Sequence, residues 1–232
     1  MLKISNRLET MARYVPKGSI VADIGTDHGY LPIYLVAGGS CPRAVAGDIN
    51  LGPLEAARLN VANNNLTTKI DLRLGNGLQI LKPGEVEVIC IAGMGGGTIR
   101  DVLSESPEVA KAARRLILQP MADEAELRRY LTTTGWYILD EELLMEDGRL
   151  YLVIVAEQGN NCQLDPVLLE LGPRLVEKNH PLLKELIDRL LLKYNKVLTG
   201  LFKSTNHQSI KKAEMIKDKI NQIRKVEEKL LN

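Results

Sequence analysis

One stretch decides the fold: Val21-Ala22-Asp23-Ile24-Gly25-Thr26-Asp27-His28-Gly29. It begins as a short apolar strand, turns at its glycines and continues into a helical segment from Tyr30 to Ala37. A strand, a glycine-containing turn and a helix, in this order, form the setting of a nucleotide-binding turn. Because a glycine-containing turn is weak evidence by itself, a purely structural turn is the alternative.

The residue at position 27 narrows the class of ligand. In the dinucleotide fingerprint Gly-x-Gly-x-x-Gly, the second glycine lets the backbone approach a pyrophosphate. Here that position is Asp27, whose carboxylate repels a pyrophosphate but is compatible with S-adenosylmethionine (SAM), which has a cationic sulfonium and no phosphate. We therefore expect Asp23 to face the ammonium group of SAM, directly or through water, and Gly25 to pass close to its methionyl part.

Outside this stretch, apolar strands alternate with helical segments. Strands are predicted at residues 20–24, 44–48, 70–74, 86–92 and 115–119, followed by 136–145 and 150–156 on either side of Asp147-Gly148. That dipeptide predicts a hairpin, and strands separated by helices predict right-handed parallel crossovers. Five parallel strands closed by a hairpin are typical of class I methyltransferases. We therefore predict an α/β, Rossmann-like sheet with an antiparallel terminal strand.

Two further segments are expected at the same edge of the sheet. Asp48 ends the second strand, 23 residues after Gly25, where a carboxylate binds the two ribose hydroxyls, and Ile49 can pack on the adenine. Gly75-Asn76-Gly77-Leu78 follows the third strand, and its amide side chain would lie near the adenine amine. Helix capping is the alternative role for Asp48, although Asn50 can also do this. Further cofactor contacts are expected from Thr26, Gly29, Gly77, Leu78, Ala92 and Gly93.

The fourth strand leads into a glycine-rich segment, Ala92-Gly93-Met94-Gly95-Gly96-Gly97-Thr98. It has no P-loop lysine, and it lacks the Asn-Pro-Pro-Tyr type of motif with which exocyclic-amine methyltransferases hold their target. A backbone wall with spare N–H donors would let a flat base approach the methyl donor. We expect Met94, Gly95 and Gly96 to contact the substrate, with a flexible loop as the alternative.

The net charge of +1 combines two unlike parts. From residue 181 onward the chain has 12 of its 30 Lys and Arg but 6 of its 29 Asp and Glu, which leaves +6 there and −5 elsewhere. This part has apolar residues at helical spacing over 182–191 and 210–230. We predict a methyltransferase domain over 1–157, a linker and short helix over 158–180, and a basic α-helical coiled-coil hairpin over 181–232. The alternative for the basic residues is solubility.

Composition excludes other classes. With 45% hydrophobic and 25% charged residues, the chain is not expected to be disordered, and no apolar run reaches the roughly 20 residues of a membrane helix. The N-terminal segment does not read as a signal peptide. The cysteines, Cys41, Cys90 and Cys162, are far apart and have no metal-site spacing. We expect reduced thiols, a cytoplasmic protein, no metal and no membrane partner.

These motifs resemble those of the bacterial tRNA (adenine-22-N1)-methyltransferases, over the whole chain. The shared segments are Ser5-Asn6-Arg7-Leu8, Ala22 to Pro32, Leu74 to Leu78, Ile91 to Ile99, and Leu116-Ile117-Leu118-Gln119-Pro120. The family also has a C-terminal helical coiled-coil domain. It has an asparagine after the Gln-Pro pair, where this chain has Met121. A hydrogen-bonding role is therefore not expected at that position.

The resemblance implies SAM-dependent methylation of N1 of an adenine in tRNA. Methylation leaves a cationic ring, which a carboxylate would stabilise, so Asp27 is the candidate catalytic residue. Asp27 could also take the N6 proton, and His28 could assist it, orient it or be an ordinary turn residue. The base must leave its stack, and Tyr30 or Tyr151 could stack on it, although both would be equally ordinary in a core.

The expected partner is tRNA, bound by a monomer through phosphates and shape rather than through an aromatic platform, since the chain has one Phe and one Trp. The candidate RNA contacts are Arg7, Lys193, Lys196, Lys203, Lys211 and Lys212. Two alternatives remain. One is a methyltransferase of the same fold with a small-molecule or protein substrate. The other is a non-catalytic RNA-binding or assembly protein.

Overall fold

The computed structural model describes residues 3–159, 164–202 and 206–231. The chain forms two compact units, Met1–Gln163 and Leu164–Asn232. The elements of the first unit are α1 (Asn6–Arg13), β1 (Val21–Ile24), α2 (Tyr30–Ala37), β2 (Ala44–Asp48), α3 (Leu51–Asn63), β3 (Ile70–Leu74), a 3₁₀ turn (Gly77–Ile80), β4 (Val88–Met94), α4 (Gly96–Glu105), α5 (Pro107–Ala112), β5 (Arg115–Pro120), α6 (Glu124–Thr133), β6 (Trp136–Glu146) and β7 (Arg149–Gln158).

The strands of this unit form one sheet of order β3-β2-β1-β4-β5-β7-β6. Strands β1 to β5 are parallel, β7 is antiparallel to β5, and β6 is antiparallel to β7. Asp147 and Gly148 both have positive φ, 48° and 73°, as a type I′ hairpin turn requires. The predicted α/β, Rossmann-like sheet with an antiparallel terminal strand is confirmed.

The core of this unit lies on both faces of the sheet. All four residues of β1 are buried because helices cover both faces of a parallel sheet. On one face, Met11 of α1, Ile33 of α2 and Val61 of α3 belong to a single apolar cluster with strand residues. With the faces covered, polar side chains can meet a ligand only at the strand ends. The carboxyl ends of β1 to β4 therefore define the edge where a site can form.

The structure differs from the predicted pattern around β4. The strand continues past Ala92 to Met94, because Gly93 has φ of 76° and forms a bulge opposite β5. The sequence pattern marks no bounds for a helix between β4 and β5, where the structure has α4 from Gly96 onward and then α5. Because Gly95, Gly96 and Gly97 have low helix propensity, the sequence does not indicate that a helix starts here. Tertiary contacts stabilise this start instead. The N–H of Gly96 donates to the carbonyl of Ala122 at 2.7 Å.

A buried ion pair fixes the outer part of the sheet. Arg128 of α6 donates from Nε to Oε1 of Glu141 on β6, at 2.6 Å. Both side chains are almost completely excluded from solvent. Because each charge is desolvated, each depends strongly on its partner.

The second unit is helical. Its elements are α7 (Pro166–Leu171), α8 (Pro173–Glu177), α9 (Leu183–Leu201) and α10 (His207–Leu231). Lys184, near the start of α9, pairs with Glu227, near the end of α10, at 3.0 Å, so the two long helices are antiparallel. Glu170 of α7 accepts from Tyr194 and Lys219 and so joins α7, α9 and α10.

The apolar stripe predicted for the last helix forms part of the core of this unit. Its buried members are Ala213, Ile216, Ile220 and Ile223, whereas Ile210 is half exposed. Lys203 and Ser204, which were expected near the turn between the helices, lie outside the described residues. Over the described ranges, no helix is both long and apolar enough to cross a membrane.

Candidate active site

A cavity of about 870 Å³ opens at the carboxyl ends of β1 to β4. The predicted site residues that line it are Arg7, Asp23, Gly25, Thr26, Asp27, His28, Tyr30, Asp48, Ile49, Asn76, Gly77, Ala92, Gly93 and Met94. Other lining residues were not predicted as contacts: Lys3, Ile4, Ser5, Leu8, Ile24, Leu31, Gly47, Asn50, Gly75, Thr98 and Val102. Among the residues predicted to contact the cofactor or the target base, Gly29, Leu78, Gly95, Gly96 and Tyr151 do not line it.

The turn after β1 is bound to the end of β2. The N–H groups of Gly25 and Thr26 both donate to the carbonyl of Gly47 at 2.9 Å. Gly25 has φ of 73°, and a Cβ at this position would lie 2.3 Å from Cε of Met94. Any side chain at residue 25 would therefore displace Met94 as well as strain the backbone.

Asp23 is a buried carboxylate at the inner end of the cavity. Its Oδ2 accepts a hydrogen bond of 2.6 Å from the hydroxyl of Thr26. The pKa of Asp23 is raised to about 6, chiefly by burial; the hydrogen bond from Thr26 opposes this shift, and the nearby Asp48 adds to it. A cationic group placed beside this carboxylate would reverse the effect of burial, which suits the site to a positively charged ligand.

Asp48 links two loops at the end of β2. Its Oδ2 accepts from the N–H of Asp27 at 3.3 Å, and its Oδ1 accepts from the N–H of Asn50 at 2.9 Å. Asn50 occupies the predicted capping position of α3, although its side chain makes no capping hydrogen bond. Ile49 beside it is 62% exposed and leaves an apolar surface at the mouth of the cavity.

Asp27 and His28 form a polar, solvent-facing pair at the opening. Asp27 has φ of 53°, a left-handed conformation that aspartate tolerates better than most residues. Its Oδ1 lies 3.6 Å from Nε2 of His28, and both side chains are about half exposed or more. The rings of His28 and Tyr30 stack with centroids 5.3 Å apart. Gly29, also predicted, faces Ala57 of α3 instead of the cavity.

The loop after β3 contributes through Asn76 and Gly77. The N–H of Gly75 donates to the carbonyl of Asp48 at 3.0 Å, which joins this loop to the end of β2. The amide of Asn76 is exposed and lies 3.3 Å from Glu105 of α4. Leu78 is buried and does not line the cavity, so its side chain packs in the core, and the cofactor contact expected at this residue stays a prediction.

The loop after β4 is more ordered than a flexible segment. A Cβ on Gly96 would lie 2.4 Å from the carbonyl oxygen of Asp123, and its N–H already donates to Ala122. Gly96 is therefore a close-packing position rather than the spare N–H donor that the sequence suggested. Gly95 precedes α4 at its capping position and also lies away from the lining.

Sequence reasoning missed Gln119 as part of the site. It is completely buried at the end of β5, and its Oε1 accepts from the N–H of Gly93 at 3.1 Å and from Nη1 of Arg7 at 2.6 Å. The guanidinium of Arg7 also lies over the ring of Tyr151, 5.5 Å from the ring centre. A polar residue directly after the apolar run Leu116-Ile117-Leu118 was the signal that could have identified it.

The predicted hairpin contacts lie in the second unit. Lys193 and Lys196 are exposed on α9, and Lys211 and Lys212 are exposed on α10. Across the three described ranges, no group of three or more His, Cys, Asp or Glu side chains could hold a metal ion.

Comparison with known proteins places the chain in a family. A family model described as a methyltransferase domain matches residues 4–154. The tRNA (adenine(22)-N(1))-methyltransferase of Bacillus subtilis strain 168 is 40% identical over 190 residues, which cover 79% of this chain and 80% of that protein. The chain belongs to the tRNA (adenine(22)-N(1))-methyltransferase family. The resemblance seen in the sequence motifs is thereby confirmed.

Solved structures of similar proteins agree over nearly the whole chain. The B. subtilis m1A22 tRNA methyltransferase TrmK has a TM-score of 0.90 at 32% identity, covering 97% of this chain and 99% of that chain. Streptococcus pneumoniae Sp1610, solved in complex with S-adenosyl-L-methionine, has a TM-score of 0.85 at 36% identity, with the same coverage. SAM is thus the cofactor of this fold and family.

Proposed function

We propose that this protein is a SAM-dependent tRNA methyltransferase that acts on N1 of adenine 22, in the cytoplasm and as a monomer. One observation carries the proposal. Three carboxylates, those of Asp23, Asp27 and Asp48, surround a single cavity at the carboxyl edge of the sheet, in a member of the m1A22 methyltransferase family.

The residues of the cavity fit SAM. Gly25 and Met94 both line the cavity along the turn after β1, where the methionyl part of SAM would pass. Asp23 is buried and suited to a cationic group, so it would face the ammonium. Asp48 would accept from the ribose hydroxyls, Ile49 would pack on the adenine, and Asn76 would lie at the edge of the adenine ring. Thr26, Gly77, Ala92 and Gly93 complete the lining around it.

For catalysis, the residues must hold the target base rather than activate it strongly. When bound, SAM supplies an electrophilic methyl group, which forms a bond to adenine N1 as its bond to sulfur breaks. The base becomes cationic, and Asp27 would stabilise this charge or accept a proton from N6. His28 lies close enough to orient Asp27, and Tyr30, stacked on His28, offers a face for the displaced base.

For RNA binding, we propose the exposed lysines of the helical hairpin: Lys193, Lys196, Lys211 and Lys212. Lys203 belongs to the same prediction but lies outside the described residues. Lysines bind phosphates without reading sequence, so the affinity for tRNA should fall steeply with salt.

The decisive experiment uses the full-length protein with an unmodified tRNA transcript and a matched transcript in which adenine 22 is guanine. We expect methyl transfer to the first and none to the second, with 1-methyladenosine found at position 22 by mass spectrometry. Equal methylation of both transcripts would contradict the proposed target position. SAM binding without methylation of tRNA would favour another substrate for the same fold. No SAM binding by calorimetry would favour a non-catalytic role.

A further inference from the structure

A continuous set of contacts joins the N-terminal helix to Gly93 and Met94 at the end of β4. These two residues line the cavity and are called the wall below. Arg7 of α1 donates to Oε1 of Gln119, and the same oxygen accepts from the N–H of Gly93. Gly93 precedes Met94, whose terminal methyl group lies against Gly25 in the turn after β1. A side chain in α1 is thus connected to Met94, which lines the cavity and packs against the turn after β1.

The bulge at Gly93 explains why these contacts matter. A residue in a bulge loses its regular hydrogen bond to the neighbouring strand, so its N–H needs another partner. Gln119 provides this partner from a position with no solvent exposure. A buried amide that accepts two donors through one oxygen has a fixed orientation. Its Nε2 donates to the carbonyl of Pro120 at 2.8 Å, which fixes the flip of the amide.

Arg7 orients the acceptor oxygen of Gln119. Its hydrogen bond is charge-assisted and short, at 2.6 Å, and such bonds are stronger than neutral ones. The stacking of Arg7 over Tyr151 holds the guanidinium from the β7 side. The guanidinium of Arg7 is thus held within the fold by a hydrogen bond to Gln119 and by the ring of Tyr151.

We infer that Arg7 is a positioning residue for methyl transfer, which acts through Gln119 and Gly93 to fix Met94, and not the phosphate contact that the sequence suggested. The inference rests on the proposed function for its kinetic consequences. Fixing the wall sets the distance between the methyl donor and the target nitrogen, and a displacement of about 1 Å can reduce a rate by about 100-fold. A phosphate contact would instead alter tRNA affinity and its salt dependence.

The test compares Arg7→Ala, Arg7→Lys and Gln119→Met with the matched control Arg13→Ala. Arg13 lies on the same helix but is exposed, pairs with Glu9 and does not line the cavity. Each variant is assayed for kcat, for KM of tRNA at several salt concentrations and for thermal unfolding. The methyl resonance of Met94 is followed in protein labelled with ¹³C-methyl methionine. This signal reports the surroundings of the Met94 side chain and does not depend on enzymatic activity.

Arg7→Ala should lower kcat about 100-fold, leave KM and its salt dependence unchanged, and shift the Met94 resonance. Arg7→Lys should restore part of kcat, Gln119→Met should behave like Arg7→Ala, and Arg13→Ala should match the wild type. An unmoved Met94 resonance in Arg7→Ala, or a raised KM with unchanged kcat, would overturn the inference. An inactive wild-type protein would refute the proposed function instead, and the Met94 resonance would still decide the inference.

Discussion

The backbone N–H of Asp27 donates to the carboxylate of Asp48 across 3.3 Å. The candidate catalytic residue and the candidate ribose-binding residue are therefore fixed relative to each other by one hydrogen bond between the ends of two neighbouring parallel strands. Because this bond uses the main chain of Asp27, its side chain remains free to face the opening of the cavity. Cofactor binding and catalysis can thus be separated by substitution at position 27.

Asp27→Asn should retain SAM binding but lose most turnover. Asparagine tolerates the left-handed backbone at this position and keeps the N–H that Asp48 accepts, whereas the negative charge is lost. We expect a decrease in single-turnover rate on the order of 100-fold, with an unchanged dissociation constant for SAM by calorimetry. Wild-type turnover in this variant would remove Asp27 from the mechanism.

SAM affinity should depend on pH through Asp23. Its pKa is raised to about 6 by burial, so the carboxyl is protonated below that pH and ionised above it. Because an ammonium group prefers the ionised form, affinity should fall below pH 6 by up to roughly tenfold per pH unit and level off above it. Calorimetry between pH 5 and about 8 measures this change, and Asp23→Asn should bind weakly with no such slope.

The same shift predicts a stability effect of opposite sign. A raised carboxyl pKa favours the folded state at low pH, below about 4, and this contribution is lost as the pH rises through about 6. The ligand-free Asp23→Asn protein should therefore be more stable than the wild type at pH 8, by about 1–3 kcal/mol, since it has no buried charge. Urea unfolding at pH 8 measures the difference. If Asp23→Asn were less stable than the wild type at pH 8, the ionised Asp23 carboxylate would not be destabilising.

Gly25→Ala should weaken SAM binding, whereas Gly18→Ala should not. Both glycines have positive φ, 73° and 86°, so alanine strains the backbone by about 1–2 kcal/mol at either position. Only at Gly25 does the added Cβ meet another group, the methyl of Met94, and displace it within the cavity. We expect roughly tenfold weaker binding for Gly25→Ala, which corresponds to 1.4 kcal/mol. Equal effects of both variants on binding would rule out the contact with Met94 as the cause.

Replacing Lys193, Lys196, Lys211 and Lys212 by alanine should raise KM for tRNA and leave SAM binding unchanged. Each lysine that contacts a phosphate should lower the slope of log affinity against log salt by about 1. A matched control replaces Lys82 and Lys111, which are exposed in the first unit. An unchanged salt slope in the hairpin variant would show that these lysines do not bind the RNA.

Arg128→Met should destabilise the first unit by about 3–5 kcal/mol, because Glu141 would remain as a buried charge. The double variant Arg128→Met with Glu141→Leu should recover most of this loss. Urea unfolding of the two variants measures both values. A double variant no more stable than the single one would mean that the loss comes from packing.

The strands, the hairpin and the polar residues at the strand ends could be predicted because they depend on local patterns. The run Val21–Ile24 is apolar, Asp147-Gly148 selects a tight hairpin turn, and Asp48 follows Gly25 at a spacing set by one helix and one strand. Parallel strands align their carboxyl ends at one edge, so Asp23, Asp27 and Asp48 could be expected to meet.

The helix at Gly96 and the site role of Gln119 could not be predicted in this way. Glycine has low helix propensity, and only the carbonyl of Ala122, 26 residues later in the chain, completes the start of α4. Gln119 looked like an ordinary strand residue because its partners, Arg7 and Gly93, are distant in sequence.

The sequence by itself determined the order of the strands, the edge of the sheet at which the acids gather, and the family. These features follow from hydrophobic periodicity, turn residues and short motifs, all of which depend on residues that are close together in the sequence. The tertiary structure alone decided which atoms meet: that Gly96 is packed rather than open, that Leu78 is buried, and that Arg7 bonds to Gln119. The physical reason is that hydrogen bonds and packing act over a few ångströms of space, which joins residues that the sequence keeps more than 100 positions apart.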